Sequence, residues 1–195
     1  MTWDEYFLRI CLTVAQNSKC LSRQIGAIIV KERSIISTGY NGAPSGIPHC
    51  GVDRYNADEV LRKELRKTNI NFLYAPDHIL NVEKSRFSSL LNSNCPRKLM
   101  DYKSGEGLHM CPAAHAERNA LLNAARRGIS TDGCVLYMSC PIPCGECMKE
   151  IINAGISEIV FTEWKYYDEM SKFLLKESDL RARTYGENIG EVSKS

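Results

Sequence analysis

Two short motifs in the second half of the chain carry side chains that bind transition metals. The first is His115-Ala116-Glu117, and the second is Pro143-Cys144-Gly145-Glu146-Cys147. Cys144 and Cys147 are three positions apart on a predicted helix, so their sulfur atoms point the same way and can share one ion. The positive helix N-terminus also favours their thiolate forms. One imidazole and two thiolates leave the fourth position of a zinc ion open to water, as in catalytic zinc sites.

Glu117 lies two residues after His115 and can stand beside a metal-bound water without ligating the ion. A carboxylate suits this place because it can act first as a base and later as an acid. Each motif alone has a less specific interpretation. A single C-x-x-C pair is equally typical of a structural zinc or a redox site, and a single helical His is usually a surface or core residue. Their combination favours a catalytic zinc site with Glu117 as the proton carrier.

The composition is that of a globular protein and excludes several classes of partner. Hydrophobic residues make up 44% of the 195 residues and charged residues 25%, with a net charge of +2. That balance argues against nucleic acid as the main partner. No apolar run approaches the roughly 18 residues of a membrane span. The N-terminus carries Asp4 and Glu5 where a signal peptide would carry basic residues, so we expect a cytoplasmic protein without a membrane partner.

Nine cysteines are the unusual feature of the composition. In a reducing compartment, clustered cysteines are more typical of metal ligands or catalytic groups than of disulfides. Cys11 and Cys134 lie in apolar stretches, and we predict that both are core residues.

Hydrophobic periodicity and turn residues predict the elements that position the two motifs. In chain order they are a helix at 3–17, a hairpin of strands at 25–30 and 34–40, a loop at 41–46, a helix from Pro112 that Gly128 ends, a strand at 134–138, a helix at 144–154, a strand at 158–162 and a helix at 168–177. Residues 51–108 lack clear periodicity beyond one short charged helix, and we interpret them as an insertion. This order predicts an α/β protein, a three-layer α/β/α sandwich around a mixed sheet, as a single domain at 1–195.

The two motifs form the H-x-E…P-C-x-x-C signature of zinc-dependent nucleobase deaminases. The resemblance narrows to the deoxycytidylate (dCMP) deaminase family through three further segments. The first, Gly39-Tyr40-Asn41-Gly42-Ala43-Pro44-Ser45-Gly46, is similar to the family pattern G-Y-N-G-x-P-x-G. The second, His115-Ala116-Glu117-Arg118-Asn119-Ala120, is similar to H-A-E-x-N-A. The third is Ala154-Gly155-Ile156, which is followed by a strand and Lys165-Tyr166. The similarity covers about residues 3–50 and 109–176.

Membership of that family implies a cytidine-deaminase-like fold with five strands and a defined reaction. The expected reaction is zinc-dependent hydrolysis of dCMP to dUMP and ammonia, which supplies dUMP for thymidylate synthesis. The resemblance also implies a homo-oligomer, with a hexamer favoured, activation by dCTP with Mg²⁺ and inhibition by dTTP. By the same resemblance, Asn41 and Tyr166 are expected to contact the substrate. Tyr166 has the alternative interpretation of an aromatic residue packed at a strand end.

The loop before the second motif departs from the family pattern. The segment Ser139-Cys140-Pro141-Ile142-Pro143-Cys144 is one residue longer than is usual in the family. We predict that Cys140 is not a metal ligand, because the prolines on either side hold it away from the helix start.

A second group of metal-binding residues brackets the insertion. Some deaminases of the family carry a second, structural zinc, and this resemblance implies Cys20 and Cys50 as ligands together with groups just upstream of the H-A-E segment. Among those groups we favour His109 and Cys111. Four protein ligands would close such a site to water. His49 is the alternative for either histidine role, and Cys95 is a further candidate. Each of these residues alone is typical of a core thiol or an exposed imidazole.

Two points remain open from the sequence. Arg23 and Arg118 are both candidates for the substrate phosphate, because Arg forms bidentate pairs with it. The same zinc motifs also occur in tRNA adenosine deaminases and in deaminases of free nucleosides or dCTP, and a zinc module without catalysis is a further alternative. The net charge of +2 and the G-Y-N-G segment argue against the tRNA enzyme, and Glu117 argues against the inactive module.

Overall fold

The computed structural model describes residues 1–68, 80–103 and 105–187, which fall into two compact units. The first unit comprises Met1–Ser18, Gln24–Asn41 and Ala114–Ser195, and the second comprises Lys19–Arg23 and Gly42–Ala113. The insertion predicted at 51–108 lies within the second unit, although its residues 69–79 and 104 lie outside the described residues.

The first unit is built on a five-stranded mixed sheet. Its strands are β1 (Gly26–Lys31), β2 (Ser34–Tyr40), β3 (Val135–Met138), β4 (Glu158–Phe161) and β5 (Arg181–Thr184). The spatial order is β2-β1-β3-β4-β5. β1 runs antiparallel to β2 and β3, whereas β3, β4 and β5 are parallel. The predicted hairpin and the mixed sheet are therefore confirmed.

Helices cover both faces of this sheet. They are α1 (Trp3–Ala15) on one face, and α6 (Ala116–Arg126), α7 (Gly145–Asn153) and α8 (Glu169–Glu177) on the other. Phe7 and Cys11 of α1 pack on Ile28 of β1, and the other core contains Ala120 of α6 and Ile151 of α7. Because apolar residues of the central strands point alternately to the two faces, one sheet supplies both cores. The predicted three-layer α/β/α sandwich is confirmed.

The start of α6 differs from the sequence-based prediction. We expected Pro112 to open this helix, but the helix begins at Ala116, with His115 as its N-cap in an extended conformation (φ −72°, ψ 157°). Proline suits extended backbone as well as a first helical turn, so Pro112 alone does not mark a helix start. The predicted burial of Cys11 and Cys134 is confirmed, since both are fully buried.

Strand β5 was not among the segments predicted from periodicity, because Arg181 and Arg183 alternate with its small residues. Arg183 is nevertheless buried, with its Nε donating to Glu158 Oε1 at 2.7 Å and its Nη1 to Asp4 Oδ2 at 2.6 Å. Buried charge is tolerated only where such partners satisfy it. The ion pairs thus tie the last strand to β4 and to the first turn of α1.

The second unit contains helices α2 (Val52–Ala57), α3 (Glu59–Arg66), α4 (Leu80–Ser93) and α5 (Pro96–Leu99), followed by a short 3-10 helix at Leu108–Met110. Leu61, Leu65, Leu91 and Met110 form its own small apolar core. Arg54 is buried beside them and donates to the Met110 carbonyl at 2.5 Å and to Asp58 Oδ2 at 3.1 Å. None of the helices described in either unit has the length and apolar character required to cross a membrane.

Candidate active site

Two helix N-termini of the first unit bring the His115 and Cys144 side chains together. His115 is the N-cap of α6 and Cys144 the N-cap of α7, and neither side chain caps its own helix by a hydrogen bond. Cys147 lies one turn into α7 and is buried. His115 Nδ1 is 3.5 Å from Cys144 Sγ and 3.3 Å from Cys147 Sγ. One candidate ligand atom from each of the three residues lies within 4.8 Å of the other two.

A close approach between α6 and β2 positions His115 against the sheet. Gly39 is the first residue of the G-Y-N-G segment, and a Cβ atom at this position would overlap the backbone of Ala116 and Ala120. Ser37 Oγ also donates to the Ala120 carbonyl at 2.7 Å, and Asn119 Nδ2 donates to the Tyr40 carbonyl at 2.8 Å. Glycine is needed here because no side chain fits between helix and strand.

The electrostatics of the three residues favour a thiolate. The hydrogen bond from Cys147 and the neighbouring His115 lower the pKa of the Cys144 thiol to about 4, against the opposing effect of burial. The pKa of Cys147 moves upward, because Cys147 donates that hydrogen bond and is itself buried. The hydrogen bond to Cys144 raises the pKa of His115. The pair of thiols therefore shares one proton, and a soft divalent cation that replaces this proton would meet two sulfur ligands and an imidazole, the donor set that zinc prefers.

Glu117 lies in the first turn of α6, two residues after His115, and is only 4% exposed. Burial raises the pKa of its carboxyl group above the usual value. Its Oε1 atom is 3.9 Å from the thiol of Cys140, which donates to it. A buried carboxyl group with a raised pKa beside a candidate metal site holds a proton more readily than an exposed one and can act as both acid and base.

The family relationship of the chain agrees with this geometry. The family model of the cytidine and deoxycytidylate deaminase zinc-binding region matches residues 1–163. The chain belongs to this family. The deoxycytidylate deaminase of Enterobacteria phage T2 is 35% identical over 156 residues, which is 80% of this chain and 77% of the phage protein. The human deoxycytidylate deaminase is 32% identical over 169 residues, which is 86% of this chain and 68% of the human protein.

Two further comparisons bear on length and fold. The deoxycytidylate deaminase of Saccharomyces cerevisiae is 28% identical over 184 residues, and the chain spans only 45% of the yeast protein. The crystal structure of the dCMP deaminase from the cyanophage S-TIM5 in apo form has a TM-score of 0.54 at 21% identity, covering 93% of this chain and 95% of the phage chain. The expected deaminase fold and family membership are confirmed.

Asn41, which the family resemblance implies as a substrate contact, is only 7% exposed and forms hydrogen bonds within the first unit. Its Oδ1 accepts from the Ile25 N–H at 2.8 Å, and its carbonyl accepts from Ser18 Oγ at 2.6 Å. Tyr166 is 37% exposed, and Lys172 Nζ lies 6.0 Å from the centre of its ring. The hydrogen bonds of Asn41 thus join the end of β2 to the segment that precedes β1.

Of the two arginines considered for the phosphate, Arg118 is engaged in a bidentate ion pair within the first unit. Its Nη2 atom is 2.8 Å from Glu150 Oε1, and its Nε atom is 2.9 Å from Glu150 Oε2. This pair joins α6 to α7 just behind the metal-binding residues. Binding a phosphate through Arg118 would require Glu150 to be displaced, which weakens that assignment. Arg23 lies in the second unit.

The residues expected at a second zinc site all lie in the second unit, but they are less closely assembled. Among the residues that the structure describes, the ligand atoms of His115, Cys144 and Cys147 all lie within 4.8 Å of one another. No such close group is formed by Cys20, Cys50, His109 and Cys111, which the structure also describes. His109 contacts Tyr102 edge-on, with ring centres 6.4 Å apart.

Cys50 is the centre of a looser thiol cluster in the second unit. Burial raises the pKa of Cys50, and the charges of Cys95 and Cys111 raise this pKa further. The hydrogen bond from Arg54 Nη1, 3.8 Å from Cys50 Sγ, acts in the opposite direction. Cys95 is buried as the N-cap residue of α5. The neighbours of Cys50 in the structure therefore include Cys95, a further candidate ligand.

Sequence reasoning missed two residues beside the metal-binding helices. Cys140 was considered only as a non-ligand, yet its thiol contacts Glu117. Asp168 was not considered, yet its Oδ2 accepts from the Gly145 N–H of α7 at 3.1 Å. The N-cap pattern of Asp168 and Ser171 identifies the start of α8 from sequence, but nothing local indicates a partner on another helix.

Proposed function

We propose that this protein catalyses the hydrolytic deamination of dCMP to dUMP and ammonia. The observation that carries the proposal is the arrangement of His115, Cys144 and Cys147 around one point, with the buried carboxyl group of Glu117 on the same helix as His115. Three ligands with a neighbouring proton carrier are typical of a catalytic rather than a structural zinc site.

Zinc fits the donor set that the structure presents. The three residues supply one imidazole nitrogen and two sulfur atoms, and the lowered pKa of Cys144 makes a thiolate available at neutral pH. When bound there, zinc would supply an activated water by lowering its pKa toward about 7. Both helix N-termini point their positive ends at this place, which further favours anionic groups.

Glu117 is the group that moves protons in the proposed reaction. Its carboxylate accepts a proton from the attacking water and delivers it to N3 of the cytosine ring, which makes C4 more electrophilic. After the water oxygen has bonded to C4, the carboxylate takes the proton of the new C4 hydroxyl and passes it to the amino group. The C4–N bond then breaks, so that ammonia leaves and a carbonyl forms at C4. The burial that raises the pKa of Glu117 suits both steps, because the group must gain and lose a proton near neutral pH.

The choice of dCMP rests on the relatives. The phage T2 and human relatives are named deoxycytidylate deaminases, and the S-TIM5 dCMP deaminase has also been crystallised in complex with dCMP and dUMP. By the same relationship we propose that Asn41 and Tyr166 contact the substrate. The dUMP formed would supply thymidylate synthesis in the cytoplasm.

Regulation and assembly are extensions of this proposal. We infer from the family that dCTP with Mg²⁺ activates the enzyme, that dTTP inhibits it, and that it assembles as a homo-oligomer, with a hexamer favoured. We also propose a second zinc in the second unit, held by Cys20, Cys50, His109 and Cys111, with His49 or Cys95 as an alternative ligand. The proximity of Cys95 and Cys111 to Cys50 supports such a site.

One assay tests the reaction and the choice of substrate together. Ammonia release is measured with dCMP, dCTP, cytidine and a tRNA anticodon stem, for the unmodified protein and for Glu117→Gln. We expect dCMP to be the best substrate, and the Glu117→Gln variant to retain zinc but lose at least about 10³-fold in kcat, because the proton carrier is gone.

Glu146→Gln is the matched control for that assay. Glu146 is an exposed carboxylate of α7 that pairs with Lys149 at 2.6 Å, and its loss should leave kcat within about twofold of the unmodified protein. Near-normal turnover by Glu117→Gln would refute the mechanism. Faster deamination of the tRNA stem than of dCMP would refute the proposed substrate.

A further inference from the structure

We propose that Asp168 is a positioning residue for the metal-binding helix α7, because its carboxylate accepts a hydrogen bond from the first N–H group of that helix. The proposal rests on the proposed function, since it assumes that zinc binds His115, Cys144 and Cys147. It assigns to α8 a function in metal retention that the ligands themselves do not reveal.

The need for an external cap follows from the position of Cys144. The first N–H groups of a helix have no partner within the helix, and the N-cap side chain normally accepts from one of them. Cys144 is the N-cap of α7, and its thiol faces His115 and Cys147. An N-cap side chain reaches the second or third N–H of its helix and leaves the first without a partner. In α7 this first N–H belongs to Gly145, and it donates to Asp168 Oδ2 at 3.1 Å.

The carboxylate of Asp168 is held in place by its own helix. Its Oδ1 accepts from the Ser171 N–H at 2.7 Å, while the Asp168 N–H donates to Ser171 Oγ at 3.3 Å. These bonds are the capping box of α8. One oxygen of the carboxylate therefore caps α8, and the other caps α7, so the two helix starts are tied by a single side chain.

The backbone at Gly145 is shaped for this contact. A Cβ atom at Gly145 would lie 2.7 Å from Met170 Cγ and 3.2 Å from Asp168 Oδ1, so a side chain at this position would push α8 away. Because Cys144 directly precedes Gly145, holding the Gly145 N–H also holds the peptide plane that joins the two residues. Without this bond the first turn of α7 would fray, and the metal would escape more often.

The test measures zinc release from the holoprotein rather than turnover. Zinc is transferred to the chromophoric chelator 4-(2-pyridylazo)resorcinol, and the kinetic phase that is missing in Cys147→Ser is assigned to this site. We expect Asp168→Ala to accelerate this phase about fivefold, the effect of a lost N-cap at an exposed residue. Asp168→Asn retains an oxygen acceptor on a side chain of the same shape and should stay within about twofold of the unmodified protein.

Two control variants separate positioning of α7 from general loss of structure. Ser171→Ala weakens the capping box of α8 but leaves the bond from Gly145 to Asp168, and Glu169→Gln removes a negative charge one residue further on. Both should release zinc at the unmodified rate. Release from Asp168→Ala at the unmodified rate would overturn the proposal, as would equal acceleration in Ser171→Ala. If zinc release from the unmodified protein has no phase that depends on Cys147, the proposed function itself fails. This outcome is separate from failure of the Asp168 proposal, because it is measured on the unmodified protein and not on an Asp168 variant.

Discussion

In the first unit the candidate zinc ligands stand at the starts of two regular helices, whereas in the second unit the clustered cysteines lie in a turn, at the N-cap of a four-residue helix and in an extended segment. In the first unit one ligand atom from each of His115, Cys144 and Cys147 lies within 4.8 Å of the other two. In the second unit the thiols of Cys50, Cys95 and Cys111 are neighbours without reaching that separation.

This difference indicates that the two units depend on a bound metal to different extents for their folding. Ligands on helices that pack against a sheet are placed by the hydrophobic core, so the first site is preorganised and its fold does not depend on the metal. Ligands on irregular segments have little to hold them except the ion, so a metal in the second unit would contribute directly to its folding free energy. The following predictions test this contrast, beginning with the largest expected effect.

Replacing one ligand of the first site should abolish activity and leave the fold intact. We expect Cys147→Ser to lose the catalytic zinc and all measurable dCMP turnover, with a near-unchanged circular dichroism spectrum, because the core rather than the metal holds α7. Zinc content by atomic absorption and an ammonia assay check both expectations. Cys134→Ala is the control, since Cys134 is a buried thiol of the same core whose sulfur contacts the Ser130 and Asp132 carbonyls. Global unfolding of Cys147→Ser would contradict the preorganised site.

Replacing a thiol of the second unit should change local stability instead. Metal analysis is expected to find two zinc ions per chain, and Cys50→Ser should reduce this number to one. The variant should then be cleaved first within residues 42–113 during limited proteolysis, because cleavage follows local opening. Fragment masses locate the cuts. One zinc per chain in the unmodified protein, with Cys50→Ser as resistant as that protein, would show that these cysteines are core thiols only.

Acid should weaken the first unit through its ion pairs and not through its thiols. Burial acts to raise the pKa of Asp4, but the hydrogen bonds from Arg183 and the Gly186 N–H outweigh it and lower this pKa. A lowered folded-state pKa means that Asp4 stabilises the fold fully above its unfolded pKa of about 3.9, and that this stability is lost as the pH falls through the folded value.

The variant Asp4→Asn tests whether the stabilisation by Asp4 is lost as the pH falls. It should lower the free energy of unfolding by about 1–2 kcal/mol at pH 7, and the difference from the unmodified protein should shrink toward zero below about pH 3.5. Denaturant titrations at several pH values measure it. Glu5→Gln is the control, because Glu5 is an exposed carboxylate of the same helix turn. A difference that grows on acidification would refute the assignment.

The smallest effect concerns Cys140, the thiol in the lengthened loop. It contacts Glu117 from a buried position, so Cys140→Val, which keeps the volume but removes the donor, should lower kcat about threefold with KM unchanged. Cys140→Ser keeps a donor and should retain more activity than the valine variant. The reverse order of the two variants would show that Cys140 matters by packing alone.

Several parts of the molecule could be predicted from particular residues because their signals are local. The strand pair of β1 and β2 follows from two β-rich runs joined by three polar residues, and Gly128 and Gly155 end α6 and α7 as helix-stop signals predict. The start of α6 could not be placed from Pro112, because proline fits both extended and helical backbone. Strand β5 was missed because Arg183 reads as a surface residue until its partners are known.

The sequence by itself determined the chemistry of this protein: an imidazole and a thiol at two helix starts, a second thiol one turn later and a carboxylate two residues after the imidazole. Within each motif the residues are only two or three positions apart, and over such a short distance helix geometry fixes the directions in which their side chains point. Only the tertiary structure decided which distant groups serve them. Asp168 reaches Gly145, Cys140 reaches Glu117, and Glu150 occupies Arg118. Such contacts depend on how α6, α7 and α8 pack on one face of the sheet, and no local pattern carries that information.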